Sequence, residues 1–257
     1  LTIGGGGVNV FDGAGIGVVD SFGSEISFDQ KVDIDTSSGN GFLSGGNIGS
    51  TVSFNGGLSI NTTSGGGFVA LDGGTFNVAA TTADESITTE TGQALVVGSL
   101  LFTVDQMADI TFDSINVTTG TGVEAIPPDS GDPGTGFESI DISRTGGIVR
   151  VNGGTIVAPT VVGTSAVAVD NNLGGGVLEV NLTNMTVTGA ADGGSGVDVI
   201  GQSAALPVTV NLVNTDARGG AGTGSVAGGA GITATNAILT LDAASTATGG
   251  AAVNGGG

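Results

Sequence analysis

The chain has 257 residues, 52 of them Gly, and its 24 acidic side chains against four basic ones give a net charge of −20. With no basic patch to offset that charge, nucleic acid and anionic membrane surfaces are poor partners. The absence of His and Cys excludes zinc and thiolate-metal sites, and no run approaches the ~20 apolar residues of a membrane span.

In chain order, Leu1-Thr-Ile3 and Val8-Asn-Val10 read as strands of an opening coil. Neither an initiator Met nor a signal peptide is present, so Leu1 reads as a processed start. Regular coils occupy residues 24–123. Ile26-Ser-Phe28, Val32-Asp-Ile34 and Thr36-Ser-Ser-Gly39-Asn-Gly41-Phe42 return 26 positions later as Val52-Ser-Phe54, Leu58-Ser-Ile60 and Thr62-Thr-Ser-Gly65-Gly-Gly67-Phe68. Each phrase holds two short strands at period two, a Ser/Thr/Gly turn, and a small residue followed by an apolar one. Self-similarity at a period of about 20–50 residues is the signature of a solenoid.

The small-then-apolar pair continues at Gly17-Val18, Gly41-Phe42, Gly67-Phe68, Ala94-Leu95, Gly122-Val123, Gly147-Ile148, Ala166-Val167, Gly196-Val197 and Gly231-Ile232, a mean spacing of about 27 residues. The spacing is tight up to Ile148 and wanders afterwards, as extra residues on one face become loops without disturbing the stack. Ile126-Pro-Pro-Asp-Ser-Gly-Asp-Pro-Gly-Thr135 breaks the pattern and reads as a loop, since prolines in series cannot serve a central strand. Strands resume at Ile140-Asp-Ile142, Ile148 to Val151, Val177 to Val180 and Val208 to Leu212. From Asp216 the chain is Ala/Gly/Thr-rich, with Ile238 to Leu241 as its clearest strand, and residues 249–257 read as a coil cut short.

No stretch carries apolar residues at helical spacing, while Val, Ile, Thr and Phe favour strands and Gly, Asn and Asp favour tight corners. The expected fold is all-β, a single-stranded right-handed parallel β-helix (β-solenoid) of about nine or ten coils of about 27 residues. Right-handedness follows from the general preference of twisted parallel strands. It is expected to be one continuous domain over residues 1–257, regular over 24–148 and less regular over 149–257. At about 4.8 Å per stacked strand the rod is on the order of 45 Å long. Phe28, Phe54, Phe42 and Phe68 recur with the coils and are expected as stacked core rungs, with Asn47, Asn55, Asn61, Asn77 and Asn152 at corners.

Leu58-Ser-Ile-Asn-Thr-Thr-Ser-Gly-Gly-Gly-Phe68, Gly73-Gly-Thr-Phe76 and Ile87-Thr-Thr-Glu-Thr-Gly-Gln-Ala-Leu95 resemble the β-helix repeat modules of large bacterial surface and secreted proteins, autotransporter-passenger or adhesin-like. The resemblance spans about residues 24–148. It implies a right-handed parallel β-helix, an extracellular or cell-surface location and a structural or adhesive role. It carries no catalytic residue with it.

Catalysis fits the residues poorly. Polygalacturonase-like hydrolases resemble this architecture but use clustered Asp with a nearby His. A pectate-lyase-like site needs a Ca²⁺ cluster beside an Arg or Lys that abstracts a proton. Arg144 and Arg150 with Glu138 and Asp141 are where such a set could form, and the plainer reading is two arginines balancing acids on an acidic rod. Trp and Tyr, the usual sugar platforms, are absent. The chain is therefore expected not to be an enzyme.

Calcium is the better chemical candidate, though not a required cofactor. The loop with Glu124, Asp129 and Asp132 offers three carboxylates on a frame suited to a hard cation wanting 6–8 oxygens. Gly193-Gly-Ser-Gly-Val-Asp198-Val-Ile200-Gly matches one copy of the nonapeptide that binds Ca²⁺ in tandem β-roll turns. Asp33 and Asp35 read as solvated. The four Asn-X-Thr sequons, at Asn61, Asn116, Asn181 and Asn184, are frequent accidents in so Asn- and Thr-rich a chain.

An uncapped β-helix exposes an open strand ladder at each end, so the expected partner is the chain itself, by head-to-tail or lateral assembly. The expected function is an extracellular structural protein of a bacterial surface fibre, sheath or stalk. The runner-up is the ligand-binding segment of a large adhesin, with Pro127 to Phe137 as the candidate insertion and a surface polysaccharide or host-cell ligand as partner. A Ca-dependent polysaccharide lyase ranks third.

Overall fold

The computed structural model describes residues 2–3, 8–11, 15–81, 84–99, 106–120, 137–157, 161–171, 176–203, 208–223 and 226–251. Among them every regular element is a β-strand, and no helix is long and apolar enough to cross a membrane. The strands form three parallel sheets in which each strand's neighbours lie three elements away in sequence, so the chain winds as a β-solenoid.

The first sheet has nine strands: Thr2–Ile3, Glu25–Phe28, Thr51–Phe54, Gly74–Val78, Gln106–Phe112, Gly146–Val151, Leu178–Thr183, Val208–Val213 and Ala237–Leu241. The second also has nine: Val8–Phe11, Val32–Thr36, Leu58–Thr62, Ser86–Thr89, Ser114–Val117, Gly154–Val157, Met185–Thr188, Asp216–Arg218 and Thr246–Thr248. The third has eight: Ile16–Val19, Phe42–Gly45, Phe68–Leu71, Leu95–Gly98, Ile140–Ser143, Val167–Asp170, Val197–Ile200 and Ile232–Thr235.

Strand alternation sends every second side chain into one axial core. Val32, Ile34 and Thr36 point in while Asp33 and Asp35 point out, and Leu58, Ile60 and Thr62 repeat this in register. The expected phenylalanine rungs are present. Phe28 and Phe54 stack with centroids 4.8 Å apart, and Phe42 and Phe68 stack at 4.7 Å. Phe76 and Phe112 extend the cluster edge-on to Phe68.

The Thr-x-x-Gly part of the repeat has a physical cause. The hydroxyls of Thr36, Thr62 and Thr89 turn inward and donate to the carbonyls of Gly39, Gly65 and Gly92, at 2.7, 2.8 and 2.9 Å. Each turn then stacks on the one before, as where Ser64 N–H donates to Ser37 O and Thr91 N–H to Thr63 O, both at 2.9 Å. The small-then-apolar pair marks entry into the third sheet, a strand beyond the two read from the phrase. A Cβ on Gly67 would lie 2.3 Å from Ala94 O and 2.5 Å from Ile87 Cγ2, so the approach of backbone to neighbouring coil restricts the position to small residues.

The column of pairs differs from the sequence reading at two of its members. Ile16, not Val18, pairs with Phe42. Gly122-Val123 lies outside the described residues, and the strand following Leu95–Gly98 in this sheet begins at Ile140, next to Ser139. Gly147-Ile148 belongs to the first sheet, in register with Ala108-Asp109. The insertion delays the third-sheet strand, and the Gly-apolar pair that next satisfies the average spacing falls on a different sheet.

The Ala/Gly-rich C-terminal part is a layer of backbone packed on backbone. Gly220 N–H donates to Gly194 O, Gly229 N–H to Gly220 O and Gly250 N–H to Gly229 O, at 2.9, 2.8 and 2.8 Å. A Cβ on Gly220 would lie 1.7 Å from Ala190 O, and one on Gly250 would lie 1.9 Å from Gly220 O. Corners in this half use left-handed asparagines: Asn184 and Asn214 have φ of 53° and 47°, and Asn214 Nδ2 donates to Asn184 Oδ1 at 2.8 Å. Asn47 is a buried corner residue as expected, accepting from Ser21 N–H at 2.9 Å and donating to Val18 O at 2.6 Å. Asn61 and Asn77, in contrast, sit within strands and point outward.

Candidate functional site: a polar groove on the first sheet

Outward positions of the first sheet form a polar stripe along the solenoid. Asn55 Nδ2 donates to Ser27 Oγ and Asp29 Oδ1, each at 3.0 Å, and Asn77 Nδ2 donates to Ser53 Oγ at 3.1 Å. Further along, Asn211 Nδ2 donates to Asn181 Oδ1 at 2.8 Å, and Asn181 Nδ2 to Glu179 Oε1 at 2.9 Å. The hydroxyl of Ser27 and then the amide of Asn55 hold the Asp29 carboxyl below its ordinary pKa, because both stabilise the charged form.

The stripe deepens into a cavity of about 490 Å³ lined by Asn77, Val78, Ala79, Ala80, Asp109, Thr111, Arg150 and Asn152. The connections between the first and second sheets are unequal in length here. Val78 and Ser86 are separated by residues 79–85, whereas Asp113 alone joins Phe112 to Ser114 and Asn152-Gly153 joins Val151 to Gly154. Ala79 and Ala80, at the start of the long connection, line one side of the groove.

Glu85 anchors that connection. It is fully buried, its Oε1 accepts from Thr81 N–H at 3.1 Å and from the Thr81 hydroxyl, and its main-chain carbonyl accepts from Asp113 N–H at 2.8 Å. Its Oε2 is buried with no hydrogen-bond partner among the described residues. On the groove floor, Asn77 and Asp109 are in register, as are Thr111 and Arg150. Arg150 Nη1 reaches diagonally to Asp109 Oδ1 at 2.9 Å, with side chains 37% and 69% exposed. So open a pair contributes at most about 1 kcal/mol to stability. Lys31 and Arg218 differ in pairing with acids two residues away on or beside their own strands, Asp33 and Asp216.

The sequence-level site residues scatter. Glu124, Asp129, Asp132 and the insertion up to residue 136 lie outside the described residues. Asp198 points outward on Val197–Ile200, in register with Ala168 and Thr233, and accepts from the Thr233 hydroxyl. The adjacent strands thus offer Ala and Thr where tandem calcium turns would repeat the acid. Among the described residues no group of three Asp or Glu converges as a metal cage. Arg144, Glu138 and Asp141 are buried around the strand Ile140–Ser143 of the third sheet. Arg144 Nη1 donates to Ser99 O at 3.3 Å, and its φ is 47°. Arg150 is on the first sheet, so the four residues weighed as a lyase set do not share a face.

The sequence pattern does not link Asn77, Asp109 and Asn152 with Arg150. Register across the insertion was needed to join them, and the average spacing hides it. No protein family, curated protein or solved structure matches the sequence. The groove's chemistry must therefore be read from its own groups: two amides, a hydroxyl and one ion pair, beside a small apolar wall.

Proposed function

We propose that the chain is a non-enzymatic extracellular structural protein. It forms or contributes to a bacterial surface fibre, sheath or stalk by head-to-tail stacking of a right-handed solenoid of nine or ten coils. The reading rests on the last described coil. Among the described residues, Ile232–Thr235, Ala237–Leu241 and Thr246–Thr248 are each paired on one side only. Their inward side chains Leu241 and Ala247 are exposed and Leu239 half-buried, whereas their partners Leu212, Ala217 and Val210 in the preceding coil are fully buried. An apolar layer under a ladder of this kind is complementary to another coil, whether further chain or a second copy supplies it.

A contact between unlike ends does not close on itself, so repetition yields a filament. Like charge of −20 disfavours side-by-side packing of such rods, leaving end-on contact as the preferred mode. Calcium held by Glu124, Asp129 and Asp132 would moderate that repulsion. The resemblance of residues 24–148 to surface-protein repeats supports the extracellular setting. A second reading, a ligand-binding segment of an adhesin, is favoured by the groove at Arg150.

Electron microscopy and sedimentation of the natively isolated protein test the assembly. Filaments with an axial repeat on the order of 45 Å, lost in Leu239→Lys, are the expected result. A protein that stays monomeric at high concentration, with and without Ca²⁺, contradicts it.

A further inference from the structure

We propose that the groove on the first sheet binds a neutral saccharide, one or two sugar rings of a longer glycan. Its volume, about 490 Å³, lies in the range of small-ligand sites, about 300–1,000 Å³. The polar groups come from three adjacent strands of one sheet: Asn77, then Asp109 and Thr111, then Arg150, with Asn152 following. They are therefore held at fixed separations before a ligand arrives, which lowers the ordering cost of binding.

The donor and acceptor set matches vicinal hydroxyls. The Asp109 carboxylate accepts from neighbouring O–H groups, the guanidinium of Arg150 donates to sugar oxygens, and the amides of Asn77 and Asn152 do both. Arg150 spends Nη1 on Asp109, and its planar fork carries further N–H donors. Val78, Ala79 and Ala80 supply a low apolar wall for the C–H edge of a ring.

Charge selects among ligand classes. The groove holds one carboxylate and one guanidinium already paired at 2.9 Å, on a chain of net charge −20. A uronate or phosphate is repelled at long range and finds its cationic partner neutralised. A Ca²⁺ ion finds a single carboxylate where it needs 6–8 oxygens. An uncharged polyol ring pays neither penalty. Without an aromatic platform the affinity is weak, with a Kd of about 1 mM. The polar stripe on either side, Ser53 and Ser27 one way and Asn181 and Asn211 the other, extends the same chemistry along the axis, so longer oligosaccharides bind more tightly than single rings. This site does not depend on filament formation.

The test is an amide-shift titration of the full chain by NMR with cellotetraose and maltotetraose, and trigalacturonate as the anionic comparison, each to about 20 mM. At least one neutral probe is expected to give saturable shifts at Asn77, Asp109, Thr111, Arg150 and Asn152. The Kd rises about tenfold or more in Arg150→Gln and Asp109→Asn and is unchanged in Arg218→Gln. The same spectra show whether each variant is folded, and Asn152→Ala replaces any that is not. No saturable shift with either neutral probe overturns the proposal, and tighter binding of trigalacturonate overturns the neutral class. Filament loss in Leu239→Lys is read separately, so either result stands without the other.

Discussion

Phe68 is where the core is most concentrated, and Phe68→Ala removes its centre. The ring is fully buried, stacks on Phe42 at 4.7 Å, and meets Phe54, Phe76 and Phe112 edge-on at 6.3, 6.3 and 6.1 Å. Truncating a core Phe removes about 3–5 kcal/mol, and favourable ring pairs add about 0.5–1.5 kcal/mol each, not additively. The four pairs place Phe68→Ala near the top of that range, about 5 kcal/mol, against a total stability of about 5–15 kcal/mol for a domain. Each coil contacts only its neighbours, so the loss concentrates in the strands around Phe42–Gly45, Phe68–Leu71 and Leu95–Gly98. Urea unfolding followed by circular dichroism reads the total, and hydrogen exchange reads its location. Phe22→Ala is the control, because Phe22 is 67% exposed and its loss should fall within about 0.5 kcal/mol. A Phe68→Ala effect below about 1 kcal/mol, or equal effects of the two variants, would refute the stacked-core reasoning.

Gly67→Ala should destabilise by about 1–3 kcal/mol as its Cβ is forced against neighbouring backbone, while Gly17→Ala, with open space around it, should be neutral in the same urea assay. Thr62→Val removes the donor to Gly65 O and should lower stability by about 1 kcal/mol, measured by the shift in urea midpoint. Ser245 first, then Asn214, hold Asp242 below its ordinary pKa, and Arg218 first, then Thr246, do the same for Asp216. A depressed folded-state pKa gives stability that is present above the unfolded value, about 3.9, and is lost as pH falls through the folded one. Shedding of the −20 charge acts in the opposite direction on the whole chain, so the informative quantity is the difference between wild type and Asp242→Asn. That difference should shrink below about pH 4; thermal melts at stepped pH measure it, and a difference that grows on acidification would reverse the sign argued here.

Much of the fold was legible because the same side-chain pattern recurs one coil on. Ile26-Ser-Phe28 and Val32-Asp-Ile34 alternate cleanly, and the structure makes strands of both. The third strand was partly hidden: Phe68–Leu71 and Leu95–Gly98 are buried on both faces, so Val69 and Val96 break the alternation that marks a half-exposed strand. Register after Gly120 was not legible, because an average period carries no information about where inserted residues fall. That slip separated Asp109 from Arg150, whose ion pair spans 41 residues, and it left the groove invisible. Arg144 misled for a different reason. A charged residue on an acidic chain reads as surface, yet it is buried at a left-handed corner where its guanidinium meets the carbonyl of Ser99.

The parallel register carried across the insertion is the premise on which the core and the groove both stand. The chain has no cysteine, so paired substitutions report that register without background. Thr155 N–H donates to Asn116 Oδ1 at 3.1 Å, and Val117 pairs with Ile156. Asn116→Cys with Thr155→Cys therefore puts two thiols on adjacent strands, within the roughly 4.4–6.8 Å Cα separation that a disulfide spans. An average period of about 27 residues would instead set Asn116 opposite Ser143, which the structure places on the third sheet. Fast disulfide formation in the first pair and none in Asn116→Cys with Ser143→Cys is the predicted result; the reverse pattern would contradict the fold described above.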